Sequence, residues 1–200
     1  MKKLFFAVSA LAALSLLAPS SGFAWDPSHL GLYADEAATS WHIMDAAPYS
    51  SHTIYVVLTN PTQPDGTTEV DFVGGFECMI IPSGGLVTGT VFPVESVNVG
   101  TNTNIIVGFA DPVAVGPDRI VTVATVTYVL TVDSATFTLG LPDPPNPNNP
   151  TAMTFLDASL NELPCYPSSS DWSLPVFGVN DDTPVGSEVS SFGSVKSLYR

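Results

Sequence analysis

The chain has 200 residues, of which 19 are acidic and 5 basic, giving a formal charge of −14; 45% of its residues are hydrophobic. That charge repels phosphate backbones and anionic headgroups, which excludes nucleic acid and acidic membrane surfaces as partners. The acidity fits either solubility outside the cell or calcium held by carboxylates.

Residues 1–24 read as an export signal. Lys2 and Lys3 precede an apolar run over 4–18, and Gly22 and Ala24 are small residues at the spacing that places cleavage before Trp25. The run is shorter than the roughly 20 residues a membrane span needs. No Cys stands at the cleavage point to carry a lipid anchor, and no later segment is apolar enough to span. The expectation is a secreted protein, extracellular or at the cell surface, with the periplasm as the alternative. Beyond residue 24 the basic residues are Arg119, Lys196 and Arg200; three against 19 acidic residues leaves −16.

The first predicted strand is 30–35 (LGLYAD). Residues 41–49 are irregular and contain Pro48. Residues 52–59 (HTIYVVLT) are β-branched and aromatic, and Asn60-Pro61 ends them. A turn at 63–66 leads to a strand over 70–81, where Gly74-Gly75 signals a bulge or a close backbone approach. Residues 86–99 are broken at Pro93 and read as an edge strand or as two short ones. A strand over 104–110 is closed by Asp111-Pro112.

Residues 119–133 (RIVTVATVTYVLTVD) form the longest β-type run. Ile120, Ala124, Val126, Tyr128, Leu130 and Val132 share one parity, broken by Thr122. The other parity is threonine-rich but also holds Val121, Val123 and Val129. Alternation makes this a core strand with one apolar face. The valines on the second face predict that part of it is covered, by the proline-rich connection 142–150 or by the C-terminal tail. Further strands are read at 135–139, 153–160 and 172–179.

About nine short strands separated by Gly, Pro and Asn turns predict an all-β antiparallel sandwich over 25–182. In the tail, 183–200, Phe192, Val195, Leu198 and Tyr199 recur at helical steps. The spacing fits a short helix that docks, frays, or acts as a sorting or self-assembly tag.

Chemistry-bearing patterns are sparse. No G-x-S-x-G elbow occurs, and His29, His42 and His52 lack metal-ligand spacing. Asp71 and Glu77 share a parity and read as one solvent-facing acidic side. Asp65, Glu69 and Asp71 beside a turn, and Asp181 with Asp182, are the candidates for weak calcium binding; no other cofactor is implied. Cys78 and Cys165 either form a disulfide, worth about 4 kcal/mol on the chain-entropy account, or remain buried thiols. Trp25, Trp41, Tyr49, Tyr166 and Trp172 lie outside the strongest strands and are candidates for stacking on sugar rings.

The stretches TIYVVLTNP (53–61), VGGFECMIIP (73–82), IIVGFADP (105–112) and RIVTVATVTYVLTV (119–132) resemble the cohesin-like family of secreted bacterial β-sandwiches. The matching motifs are Gly75-Phe76-Glu77 and Ala124-Thr125-Val126-Thr127-Tyr128. The resemblance implies a jelly-roll sandwich of about nine strands, related to carbohydrate-binding modules. Cohesins bind dockerins, and no dockerin-type calcium repeat occurs in this chain. The expected function is an exported, non-catalytic binding or structural module with a protein or polysaccharide partner, working through a sheet face or its loops. A carbohydrate-binding module is the alternative, and a small glycan-active hydrolase a third.

Overall fold

The computed structural model describes residues 27–183. The export segment, Trp25, and the tail beyond Thr183 lie outside the described residues. Twelve strands and no helix form among those described, where nine strands were expected. No helix there is long and apolar enough to cross a membrane.

One layer is built from β1 (His29–Tyr33), β3 (Ser51–Thr59), β8 (Ile120–Val129) and β5 (Leu86–Val91), paired antiparallel in that order. The second contains β10 (Met153–Asp157), β4 (Phe72–Pro82), β7 (Asn104–Ala114) and β6 (Ser96–Asn98). The far end of β4 pairs with β9 (Ala135–Gly140), which carries β12 (Phe177–Val179) and then β2 (His42–Ile43). The layers are joined through β11 (Glu162–Pro167), antiparallel to β10 and parallel to β1. Both this pair and β12–β2 are parallel, so the sandwich is mixed and not purely antiparallel.

The core lies between the layers. Tyr128 of β8 meets Phe137 of β9 edge-on at 4.8 Å, and Phe137 meets Phe177 at 5.6 Å. Leu30, Ile54, Val126, Phe155 and Leu163 are buried around them. Each such side chain removed from water contributes about 1.5–3 kcal/mol before entropy is counted.

Two bulges decide which residues face this core. Val56 pairs with Ala124 but Val57 pairs with Thr122, so Val123 is an extra residue in β8. Parity switches there: Val121 and Val123 are buried on one side of the bulge, and Ala124, Val126, Tyr128 and Leu130 on the other. Val121 and Val123 are therefore core residues, not a covered second face, and the break at Thr122 is the bulge itself. The proline-rich connection lies elsewhere. Asp143 exchanges two hydrogen bonds with the Asn104 side chain, and Asn148 Nδ2 donates to Glu162 Oε2 at 2.8 Å, which ties it beside the second layer.

The second bulge is Gly74, since Gly75 pairs with Gly108 and Leu156 while Val73 pairs with Val113 and Asp157. It breaks the shared parity expected of Asp71 and Glu77. Glu77 sits on the strand opposite Thr154 and Ile106, whereas Asp71 precedes β4 and meets Arg119.

One open strand alternative is decided and two strand readings change. The region 86–99 resolves into two short strands in different layers, β5 and β6. The strand begun at 104 runs on through Asp111-Pro112 to Ala114, because β7 loops residues 109–112 out of its pairing with β4. β11 is absent from the sequence reading because Pro164 and Pro167 argue against a strand. It forms because Tyr166 N and Ser168 N are the donors to β1, at Ser28 O and Leu30 O, so the missing proline N–H groups break no bond in that ladder.

Of the two alternatives for the cysteines the disulfide is not formed; Cys78 and Cys165 are free, fully buried thiols. Thr154 opposite Glu77 and Met153 opposite Cys165 put β10 between the two cysteines, with Met153 in their row. Two strand spacings hold their Cα atoms about 9–10 Å apart, beyond the roughly 7 Å a disulfide can bridge. Burial pushes both thiols up, with Glu77 adding to the effect.

Candidate functional site

The outer face of β11, β10, β4, β7 and β6 holds the best-formed concavity, about 270 Å³. Two rows of residues cross it in register. One runs Glu162, Leu156, Gly75, Gly108, Val97; the next runs Pro164, Thr154, Glu77, Ile106, and reaches Val99 through its N–H on the Ile106 carbonyl. The middle of the first row is two glycines, so the face has a trough there. Leu156 and Val97 stand on either side, three strand spacings or roughly 14 Å apart.

Sequence and packing both make the trough. Gly75 is required where β4 approaches β7, because a Cβ there would run into the Val107 carbonyl oxygen. Gly108 is not required in that sense: a Cβ would meet nothing within 4 Å. Val97 and Val99 are 70% and 74% exposed on the edge strand and just after it. Asn146, on the tied proline-rich connection, also lines the concavity.

The floor carries two unmatched polar atoms. Thr154 is 2% exposed, yet its Oγ1 has no hydrogen-bond partner. Glu77 Oε1, on the cross-strand neighbour of Thr154, is also buried without one. Buried polar groups are ordinarily paired, and an unpaired one costs about 1–3 kcal/mol. Two adjacent orphans opening into a concavity therefore mark a place that accepts a donor.

Most of the acidic calcium candidates hold hydrogen bonds or face Arg119. Asp65 accepts hydrogen bonds from the Thr68 hydroxyl and from the backbone N–H groups of Thr68 and Thr67, which hold its carboxyl down at about 2. Glu69 and Asp71 face Arg119 Nη1 at 3.6 and 3.3 Å. Asp181 accepts from Thr183 N at 2.8 Å. No group of three or more His, Cys, Asp or Glu side chains able to hold a metal ion occurs among the described residues.

Sequence reasoning missed the role of Arg119, the one Lys or Arg between residues 27 and 183. Its Nη2 donates to the carbonyls of Pro61 and Val70 at 2.7 and 2.9 Å. It thus ties the β3 and β8 ends to the start of β4. Its isolation in so acidic a chain was the available signal. A second, more open concavity of about 390 Å³ beside it is lined by His29, Tyr33, Asp118 and Arg119.

The aromatic candidates are dispersed. Trp41 precedes β2 and packs edge-on against His42 at 4.4 Å. Tyr49 precedes β3, is 79% exposed, and has a left-handed φ of 65°. Tyr166 sits on β11 opposite His29, whose other neighbour is Thr59 at the far end of β3. Tyr49 and Tyr166 are thus roughly 25 Å apart along the strand direction. Trp172 is in the β11–β12 connection and about a third exposed.

No family model matches the sequence, and a search of curated proteins gives no match. Solved structures do match. The chain is similar to cohesin modules. One is a non-cellulosomal cohesin from the hyperthermophilic archaeon Archaeoglobus fulgidus, at 12% identity and TM-score 0.44, over 71% of this chain and 86% of that one. Another is a cohesin module from a Clostridium perfringens family 33 glycoside hydrolase, at 9% identity and TM-score 0.42, over 70% and 90%. A third is a type II cohesin domain from the cellulosome of Acetivibrio cellulolyticus, at 13% identity and TM-score 0.41, over 78% and 97%.

Proposed function

We propose that this chain is an exported, non-catalytic protein-binding module whose working surface is the outer face of β10, β4, β7 and β6. The observation that carries the reading is the combination on that face: exposed Val97 and Val99 and half-buried Leu156 surround a trough whose polar floor is unmatched. Apolar residues grouped beside unpaired polar atoms on an open face are the composition of a docking surface. The face is held rigid by pairing on both sides of β4 and by the tied proline-rich connection, so docking needs little ordering.

A polysaccharide surface is less well supported. Sugar platforms need rings side by side, and Tyr49 and Tyr166 stand at opposite ends of the same layer. The reading is tested by placing a photo-crosslinking amino acid at position 97 or at position 53, on the opposite layer, and exposing each to the extracellular proteins of the source cells. A discrete polypeptide adduct at 97 and none at 53 is expected. Equal labelling at both positions would overturn the assignment of this face.

A further inference from the structure

The unmatched pair on the floor of the trough specifies what the partner must bring. Glu77 Oε1 is a carboxylate acceptor, and Thr154 Oγ1 accepts or donates. They lie on neighbouring strands in direct register, where Cβ atoms are about 5 Å apart. One group with several N–H donors can reach both at once. A hydroxyl has a single donor to offer, and a carboxylate would be repelled.

Charge narrows the choice further. Glu162 stands in the neighbouring row, and no Lys or Arg lines the concavity. Arg119, the only Lys or Arg in residues 27–183, is committed to Pro61, Val70, Glu69 and Asp71. Nothing basic within the described sandwich can neutralise Glu77 at this site. A docked apolar surface would bury that carboxylate uncompensated, which is strongly unfavourable.

Resting on the protein-docking reading above, we propose that the trough receives a lysine or arginine side chain from the partner. Its aliphatic stem lies over Gly75 and Gly108, between Leu156 and Val97, and its ammonium or guanidinium donates to Glu77 Oε1 and Thr154 Oγ1. The glycines leave room for the stem, the valines and leucine cover it, and the orphaned oxygens receive the head. Long cationic side chains bury their stems along apolar surface in this manner, and the charged hydrogen bonds they make are about twice as strong as neutral ones.

The test uses residues 25–200, isotopically labelled, with n-butylammonium and methylguanidinium as probes and 1-butanol as the uncharged control. Both cations should shift the amide signals of Glu77 and Thr154 and the methyl signals of Val97, Val99 and Leu156, saturably, with 1-butanol much weaker. Glu77→Gln should weaken cation binding about tenfold, and Thr154→Val should weaken it less. Glu95→Gln, at an exposed carboxylate on the same side of the molecule but outside the concavity, serves as the control for diffuse charge attraction and should leave most of the affinity in place. The proposal is overturned if 1-butanol binds as well as the cations, if Glu77→Gln has no effect, or if Glu95→Gln matches Glu77→Gln. In each of those cases the crosslinking contrast between positions 97 and 53 still decides the docking reading independently. Cation binding without a crosslinked polypeptide would keep the site and remove the protein partner.

Discussion

The two outer faces of the sandwich are built from strands of similar length and do opposite things with them. On β3, β8 and β5 the rows are filled across their middle by threonines and a tyrosine, Thr53 opposite Thr127 and Tyr55 opposite Thr125, and carry exposed apolar residues only at the β5 edge, Val91 and Leu86. Where hydroxyls there are bonded they use the sheet itself, as Thr88 Oγ1 does on the Thr127 carbonyl. On β10, β4, β7 and β6 the corresponding rows pass through two glycines and end on exposed valines, and two floor oxygens go unmatched. A face whose middle is filled with β-branched polar side chains has no trough and can stay wet. A face with a trough, apolar walls and orphaned acceptors is complete only when something sits on it.

The comparison breaks first at Gly75. Gly75→Val forces a side chain into the Val107 carbonyl and should cost about 3 kcal/mol by overpacking, read as a lower denaturant midpoint. Thr127→Val on the other face should change stability by under about 0.5 kcal/mol. Next is Arg119→Ala. It removes the charged donors from Pro61 and Val70 and should cost about 2 kcal/mol, with no change in cation binding at the trough. Thr154→Val sharpens the contrast from the other side: removing an orphaned buried hydroxyl should leave stability unchanged or raise it by about 1 kcal/mol, while weakening docking. Gly108→Val should have the smallest effect on stability, within about 0.5 kcal/mol, because a Cβ there meets nothing. It should nonetheless block the trough, separating folding from binding in one substitution.

Acid provides a check common to both faces. Hydrogen bonds hold the Asp65 carboxyl at about 2, and they also lower Asp157, where bonds from Asn161, Ser159 and Gln63 outweigh the upward push of burial. A carboxyl depressed in the folded state stabilises it above the unfolded value near 4 and loses that contribution as pH falls toward 2. Thermal unfolding midpoints should therefore be flat near neutrality and drop below pH ~4. Asp65→Asn should flatten the drop. A midpoint that rises on acidification would contradict these bonds.

Much of the fold is legible in the sequence. Turn residues at 63–66, 82–85 and 116–118 bound strands close to where they form, and Gly74-Gly75 announces its bulge. β11 is not legible, because prolines count against a strand unless the direction of each N–H is known. The candidate site is less legible still. Glu77 reads as one of an exposed acidic pair, Thr154 as an unremarked strand residue, and Val97 as part of an irregular edge. The sulfur pair misleads for a related reason: spacing along the chain says nothing about the strand that lies between Cys78 and Cys165.

By itself the sequence determined the alternation, the punctuation and the charge: an all-β chain, strongly acidic, with a long strand over 119–133 and too little basic surface to neutralise its carboxylates. Those follow from local sterics and composition, which act whatever the strands are paired with. Only the tertiary structure decided which side of each strand is inside, because one extra residue at Val123 and one at Gly74 reverse the parity on which face assignment rests. It likewise decided that Glu77 and Thr154 become neighbours without partners, since register between β4 and β10 is a property of the whole sheet and not of either strand.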